Sequence, residues 1–271
     1  MRLYYQEKGN GYPLIFLHGN GEDHKYFDAQ VKYFSRYFKT IAIDTRGHGR
    51  SKRGKKPFTI SQFADDLYEF MQQKKIERAH ILGFSDGGNI AMVFVMRYPK
   101  RVNHLILNGA NLYSAGVKPS VQVPIILGYY MASLFQGISK KAKSNAEMLG
   151  LMVKDPNLKE EELQKIHCKT LVIAGTNDMI KSEHTKQIHH GIKDSHLVFL
   201  EGDHFIAKKK PREFCQAVRK FLMPEVMELL EIPEDHMIPL ILGFGYPEIS
   251  YKRGVQKKMI LPEFIGFPKN F

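Results

Sequence analysis

From Leu14 to about Met223, short apolar runs alternate with longer stretches in which apolar and polar positions recur at helical spacing. That alternation predicts an α/β domain, a mostly parallel sheet flanked by helices. The strand candidates are Leu14 to Leu17, Thr40 to Asp44, His80 to Gly83, Val102 to Asn108, Thr170 to Ala174 and His196 to Leu200. Ile, Val, Leu and Phe recur in them, as expected of strands buried on both faces. Between them, Thr59 to Lys74 places Ile60, Phe63, Leu67, Phe70 and Met71 on one helical face, so these five residues are expected in the core. A second helix is expected from Asn89 to Tyr98.

Two segments break the rhythm. Residues 112–166 lie between two strand candidates and are too long for an ordinary crossover. They carry Pro119, Pro124 and several aromatic and methionine residues, among them Tyr129, Tyr130, Met131, Met148 and Met152. An inserted helical cap over the strand ends is expected there. Its apolar run, Val121 to Phe135, is too short to span a bilayer and suits a substrate lid better. The second break comes at Pro224, after which Pro233, Pro239, Pro247, Pro262 and Pro268 indicate an extended arm. The expected organisation is one α/β domain over 1–223, with its cap at about 112–166, and a C-terminal extension over 224–271.

Composition changes this picture little. A chain of 271 residues with 43% hydrophobic content can bury a sizeable core. The basic excess behind the net charge of +12 lies before residue 224, in scattered residues and in short clusters at Lys52 to Lys56, Lys140 to Lys143 and Lys208 to Lys210. None is interleaved with aromatics as a nucleic-acid stacking platform would be, so a solvated basic surface is expected and no nucleic-acid partner. Cys168 and Cys215 stand far apart without a CxxC pair, which indicates buried thiols in a reducing compartment and neither a metal cage nor a disulfide framework. The polar start, Met1 to Glu7, lacks the apolar core of a signal peptide, so the protein is expected in the cytoplasm, without a membrane partner.

The chemistry is concentrated in GFSDGG at residues 83–88, between a strand candidate and a helix candidate. A serine on a sharp strand-to-helix turn projects its hydroxyl clear of the sheet, and the following helix points its positive end at any oxyanion formed there. Such a serine needs a histidine to take its proton and a carboxylate to orient that histidine. Asp178 ends the loop after the strand candidate Thr170 to Ala174, and His204 ends the loop after His196 to Leu200. Both are expected at carboxyl ends of parallel strands, on the edge that carries Ser85. Asp203 is the alternative acid, though, adjoining His204 in sequence, it would normally point elsewhere. An oxyanion hole requires two backbone N–H donors. One is expected from Asp86, the other from Asn20 in His18-Gly19-Asn20-Gly21, with Gly21 as the alternative.

Through HGNG at 18–21, DTRGHGRS at 44–51, GFSDGG at 83–88, the GTND loop ending at Asp178 and GDH ending at His204, the chain resembles the α/β-hydrolase superfamily over residues 1–223. The order Ser, Asp, His is that of this superfamily. SDGG followed by GANLY at 109–113 resembles the valacyclovir-hydrolase (biphenyl-hydrolase-like) branch, where the acid after the serine is associated with a substrate amino group. That resemblance implies an ester with a nearby ammonium recognised by Asp86; the residue could equally offset the dipole of its helix. Residues 232–260 resemble the C-terminal segment of flavin-dependent nitroreductases. The body of that family is missing, so no flavin or other cofactor is expected, and the arm is read as a fused remnant or a contact between identical subunits. The expected activity is a serine hydrolase acting on a small ester, thioester or lactone. The rival reading is a ligand-binding or scaffold protein on the same fold.

Overall fold

The computed structural model describes residues 1–223 of the chain. The proposed arm at 224–271, its nitroreductase-like segment and any oligomer contact through it lie outside the described residues. The elements are β1 (Tyr5–Lys8), β2 (Pro13–Leu17), α1 (Asp28–Phe34), β3 (Lys39–Ile43), α2 (Ile60–Gln73), β4 (Ala79–Phe84), α3 (Asp86–Arg97), β5 (Val102–Asn108), α4 (Pro119–Phe135), α5 (Lys140–Lys154), β6 (Lys169–Gly175), α6 (Ser182–Gly191), β7 (Ser195–Leu200), α7 (Ile206–Lys209) and α8 (Pro211–Leu222). The strands form one seven-stranded sheet in the order β1-β3-β2-β4-β5-β6-β7. All pairs are parallel except β1 with β3.

β1 was not expected. Its sequence, YQEK, lies at the sheet edge and is largely exposed, so it carries neither an apolar run nor an alternating pattern. Register with β3, from Tyr5 opposite Ile43 to Lys8 opposite Thr40, places it there. β4, by contrast, is buried along its whole length, as its apolar run requires. β7 departs from the expectation of burial on both faces: it is the other edge among the described residues and is mostly half-buried.

Two apolar layers sandwich the sheet. On one side α2 contributes Ile60, Phe63, Leu67, Phe70 and Met71, all buried, and packs with α3 against Ile15, Ile41, Ile81 and Leu105. Thr59 caps α2 by accepting a hydrogen bond from the Gln62 amide, which fixes where the helix begins. On the other side α1 and α8 bring Val31, Phe34, Phe214, Val218 and Leu222 against Phe16, Leu82, Ile106 and Ile173. Cys215 is buried in this layer, whereas Cys168 is only half-buried, a correction to the expectation for both thiols.

Residues 112–166 form helices, chiefly α4 and α5, which pack on each other. Gly128 lies against Leu149, and Gln122 donates to the Met152 carbonyl at 3.1 Å. Arg53 clamps α5 to the body through two bonds to Glu147, at 2.8 and 2.7 Å. No helix among the described residues is long and apolar enough to cross a membrane.

Candidate active site

Ser85 stands between the last residue of β4 and the first of α3, with φ 53° and ψ −121°. A positive φ at a non-glycine residue is strained, and here the strain is held by the neighbours. The Ser85 amide donates to the Asn108 carbonyl at 2.8 Å, and the Ser85 carbonyl accepts from the amides of Gly88 and Asn89. The flanking glycines serve close approach: a Cβ on Gly83 would meet the Gly87 carbonyl oxygen at 2.2 Å, and one on Gly87 would meet the Leu17 oxygen at 2.0 Å. Strand and helix can therefore fold back this tightly only with glycine at both positions. The helix begins at Asp86, three residues before the expected Asn89, because α3 starts directly from this turn.

Asp178 and His204 meet across the ends of β6 and β7. His204 Nδ1 lies 2.6 Å from Asp178 Oδ1, which also accepts from the Ile180 amide at 2.9 Å. An ionised carboxylate only accepts, so Nδ1 carries the proton and Nε2 presents a lone pair. Both side chains are buried, and Nε2 has no hydrogen-bond partner among the described residues. Phe84, the residue before Ser85, packs under the imidazole with ring centroids 4.8 Å apart. Gly109, at φ +60°, closes the other side: a Cβ there would lie 2.8 Å from His204 Cε1 and 3.3 Å from Asp178 Oδ2. Asp203 turns away and pairs with Lys209 at the surface.

The loop after β2 runs beside the serine, with Gly19 so close that a Cβ would be 3.2 Å from Ser85 Cβ. His18 orders this loop, a role the motif alone did not reveal. Its Nε2 accepts from the Thr45 amide at 3.0 Å, so its Nδ1–H donates to the Gly19 carbonyl at 2.7 Å. In a planar trans peptide the Asn20 N–H then points opposite to that anchored carbonyl. Burial lowers the His18 pKa to about 4, keeping the ring neutral. The Asp86 amide opens α3 and has no acceptor within the helix. Asn20 also donates from its side chain to the Met148 carbonyl at 2.7 Å, tying the loop to the cap.

Asp86 is buried, and burial, reinforced by Asp155, raises its pKa to about 7. Asn89 Nδ2 reaches its Oδ1 at 3.3 Å. A carboxyl only part-ionised near neutral pH offsets a helix dipole less than an exposed acid would. Glu22, just beyond the HGNG loop, is likewise pushed up to about 7 by burial.

DTRGHGRS is occupied with structure. Arg46 is buried and bidentate to Asp66, at 2.7 and 2.5 Å. Asp44 accepts from the amides of His24 and Arg50 and from His24 Nδ1. Asp23, His24 and Asp44 bring possible ligand atoms within 4.8 Å of one another, but the Asp44 oxygens are already engaged by these donors, so the cluster reads as an internally bonded turn.

A mostly parallel sheet with an antiparallel edge, a strand-to-helix elbow after its central strand and a helical insert before β6 make up the α/β-hydrolase fold, and the chain resembles proteins of that superfamily. Residues 12–138 match the family model described as alpha/beta hydrolase fold. The chain is 25% identical to the human serine hydrolase BPHL, over 82% of this chain and 83% of that protein. It is 27% identical to 3-oxoadipate enol-lactonase 2 of Acinetobacter baylyi, over 76% and 86%. A hydrolase from Pseudomonas aeruginosa superposes with a TM-score of 0.66 at 26% identity, covering 82% of this chain and 94% of that one. These relatives are hydrolases, which supports a hydrolase function here.

Proposed function

We propose that the protein is a serine hydrolase cleaving a small ester, thioester or lactone through an acyl-enzyme. The observation that carries this reading is the buried Asp178–His204 pair, whose Nε2 has no hydrogen-bond partner among the described residues, on the sheet edge that carries Ser85. Ser85 Oγ attacks the carbonyl carbon while His204 Nε2 takes the hydroxyl proton. Asp178 holds the ring in the required tautomer and stabilises the imidazolium. The amides of Asp86 and Asn20 receive the oxyanion, preorganised by the helix start and by the His18 anchor. The imidazolium passes its proton to the leaving oxygen or sulfur as that bond breaks. Water, deprotonated by Nε2, then attacks the acyl carbon, and Ser85 recovers its proton through His204. Every proton transfer is handled by the chain's own groups. The ester-type substrate is supported by the lactone named for the Acinetobacter relative, since a lactone is a cyclic ester.

A fluorophosphonate probe tests the assignment: it should label the wild-type protein at Ser85, and Ser85→Ala should abolish labelling. Undiminished labelling of that variant would remove Ser85 from the mechanism. Tight ligand binding without turnover on a panel of acyl and amino-acyl p-nitrophenyl esters would favour the binding-protein alternative.

A further inference from the structure

The cap exposes a surface that hydrolysis at Ser85 does not explain. Along α4 and the turn after it, Val123, Leu127, Tyr130, Met131, Leu134, Phe135 and Ile138 are 53%, 62%, 61%, 56%, 74%, 48% and 85% exposed. Their spacing of three and four residues puts them on one helix face. The opposite side of α4 is held by α5 through Gln122, Gly128 and Tyr129. An apolar stripe this long on the surface of a protein marks a contact with something else. No Asp or Glu occurs between Asp86 and Glu147, and the stripe runs directly into Lys140, Lys141 and Lys143, all exposed. The nearest carboxylate, Glu147, is engaged by Arg53, whose loop adds exposed Lys52 and Lys55 beside α5.

We propose that the outer face of α4 lies in the surface of an anionic lipid bilayer, its apolar stripe among the upper acyl chains and Lys140, Lys141 and Lys143 at the headgroups. α4 is apolar on both sides, one packed on α5 and the other exposed, and an exposed apolar helix face that runs into basic residues is what a membrane-surface contact presents; flexible acyl chains conform to it without a groove. A second copy of the chain is a poorer fit, because a two-fold contact along α4 would bring like charges together. The run Val121 to Phe135, too short to cross a bilayer, is long enough to lie on one.

The chain has no tryptophan, so Leu134→Trp supplies a single fluorescent reporter in the full-length protein. Its emission should shift to the blue and be quenched by brominated lipid with phosphatidylserine-containing vesicles, and hardly respond to pure phosphatidylcholine. In co-sedimentation with the anionic vesicles, Leu127→Ser combined with Leu134→Ser should lower partitioning about tenfold, and Lys140→Glu with Lys141→Glu by a similar factor. Hydrolysis of a soluble short-chain ester should be unchanged in all these variants, which separates docking from the chemistry of Ser85. Absence of a blue shift, or equal partitioning of the wild type and the serine variant, would overturn the proposal. A dimer that dissociates on Leu134→Ser in analytical ultracentrifugation, without vesicle binding, would assign the stripe to a second copy instead.

Discussion

At the carboxyl edge of the sheet, His204 and Asp178 keep 4% and 3% of their surface, whereas the cap residues Leu134 and Ile138 keep 74% and 85%. The two regions are tied at Asn20, which belongs to the loop beside Ser85 and bonds the Met148 carbonyl of the cap. At the edge, every position is over-determined. Ser85 is held at positive φ by backbone bonds on both sides, and Gly83, Gly87 and Gly109 are places where a single added carbon would collide. On α4 a Cβ at Gly128 would meet, among the described residues, a flexible Leu149 methyl at 3.3 Å, and the outer side chains are exposed. Chemistry demands sub-ångström placement, so close packing is expected at the edge where proton transfer is proposed. A surface that contacts something outside the chain has no such restraint.

The largest effect should come from His204→Ala, which removes the proposed general base and is expected to lower kcat by about 10⁴ to 10⁶ while the fold persists. A loss of less than about tenfold would assign the base to another histidine. Next, Gly109→Ala should force the imidazole off Asp178 and cut kcat by roughly 100-fold, since small misplacements near the reacting atoms are costly. Gly128→Ala on the cap should change kcat less than about twofold, because surface substitutions away from a strained site are close to neutral. Equal losses in the two would erase the contrast between a rigid edge and a permissive cap.

Stability should respond to pH in opposite senses at two places. Burial raises the pKa of Asp86 to about 7, so ionisation above the ordinary carboxylate range favours the unfolded chain. Asp86→Asn should therefore raise Tm by roughly 3 °C or more at pH 8, with the gain shrinking as pH falls toward about 4. Burial lowers the pKa of His80 to about 3, and the unfolded residue titrates near 6.5. The unfolded chain then takes up protons that the folded chain does not, and stability falls as pH drops from about 6.5 toward 3. His80→Phe should lessen that acid sensitivity by about 1 to 2 °C between pH 7 and pH 5. A variant tracking the wild type at both pH values would show that His80 is not held neutral.

Much of this organisation was legible because its signals are local. The apolar runs at Ile81 and Val172 mark strands buried on both faces, and GFSDGG, GTND and GDH mark the turns after β4, β6 and β7. The parallel sheet then gathers their carboxyl ends on one edge, so residues 119 positions apart in sequence, Ser85 and His204, belong to one region. β1 was illegible because a polar edge strand has no burial pattern to display. The role of His18 depends on Thr45, 27 residues away, and nothing in HGNG points to that partner.

The sequence by itself determined the alternation of elements, the strand-turn-helix context of Ser85 and the placing of Asp178 and His204 in loops after later strands, since each rests on short-range hydrophobicity and turn chemistry. Only the tertiary structure decided that His204 turns to Asp178 while Asp203 turns to Lys209, that Asp86 is buried, and which face of α4 is exposed among the described residues. Hydrophobic periodicity is read along the chain, but the direction of a side chain and the desolvation of a carboxyl depend on what packs against them from elsewhere in it.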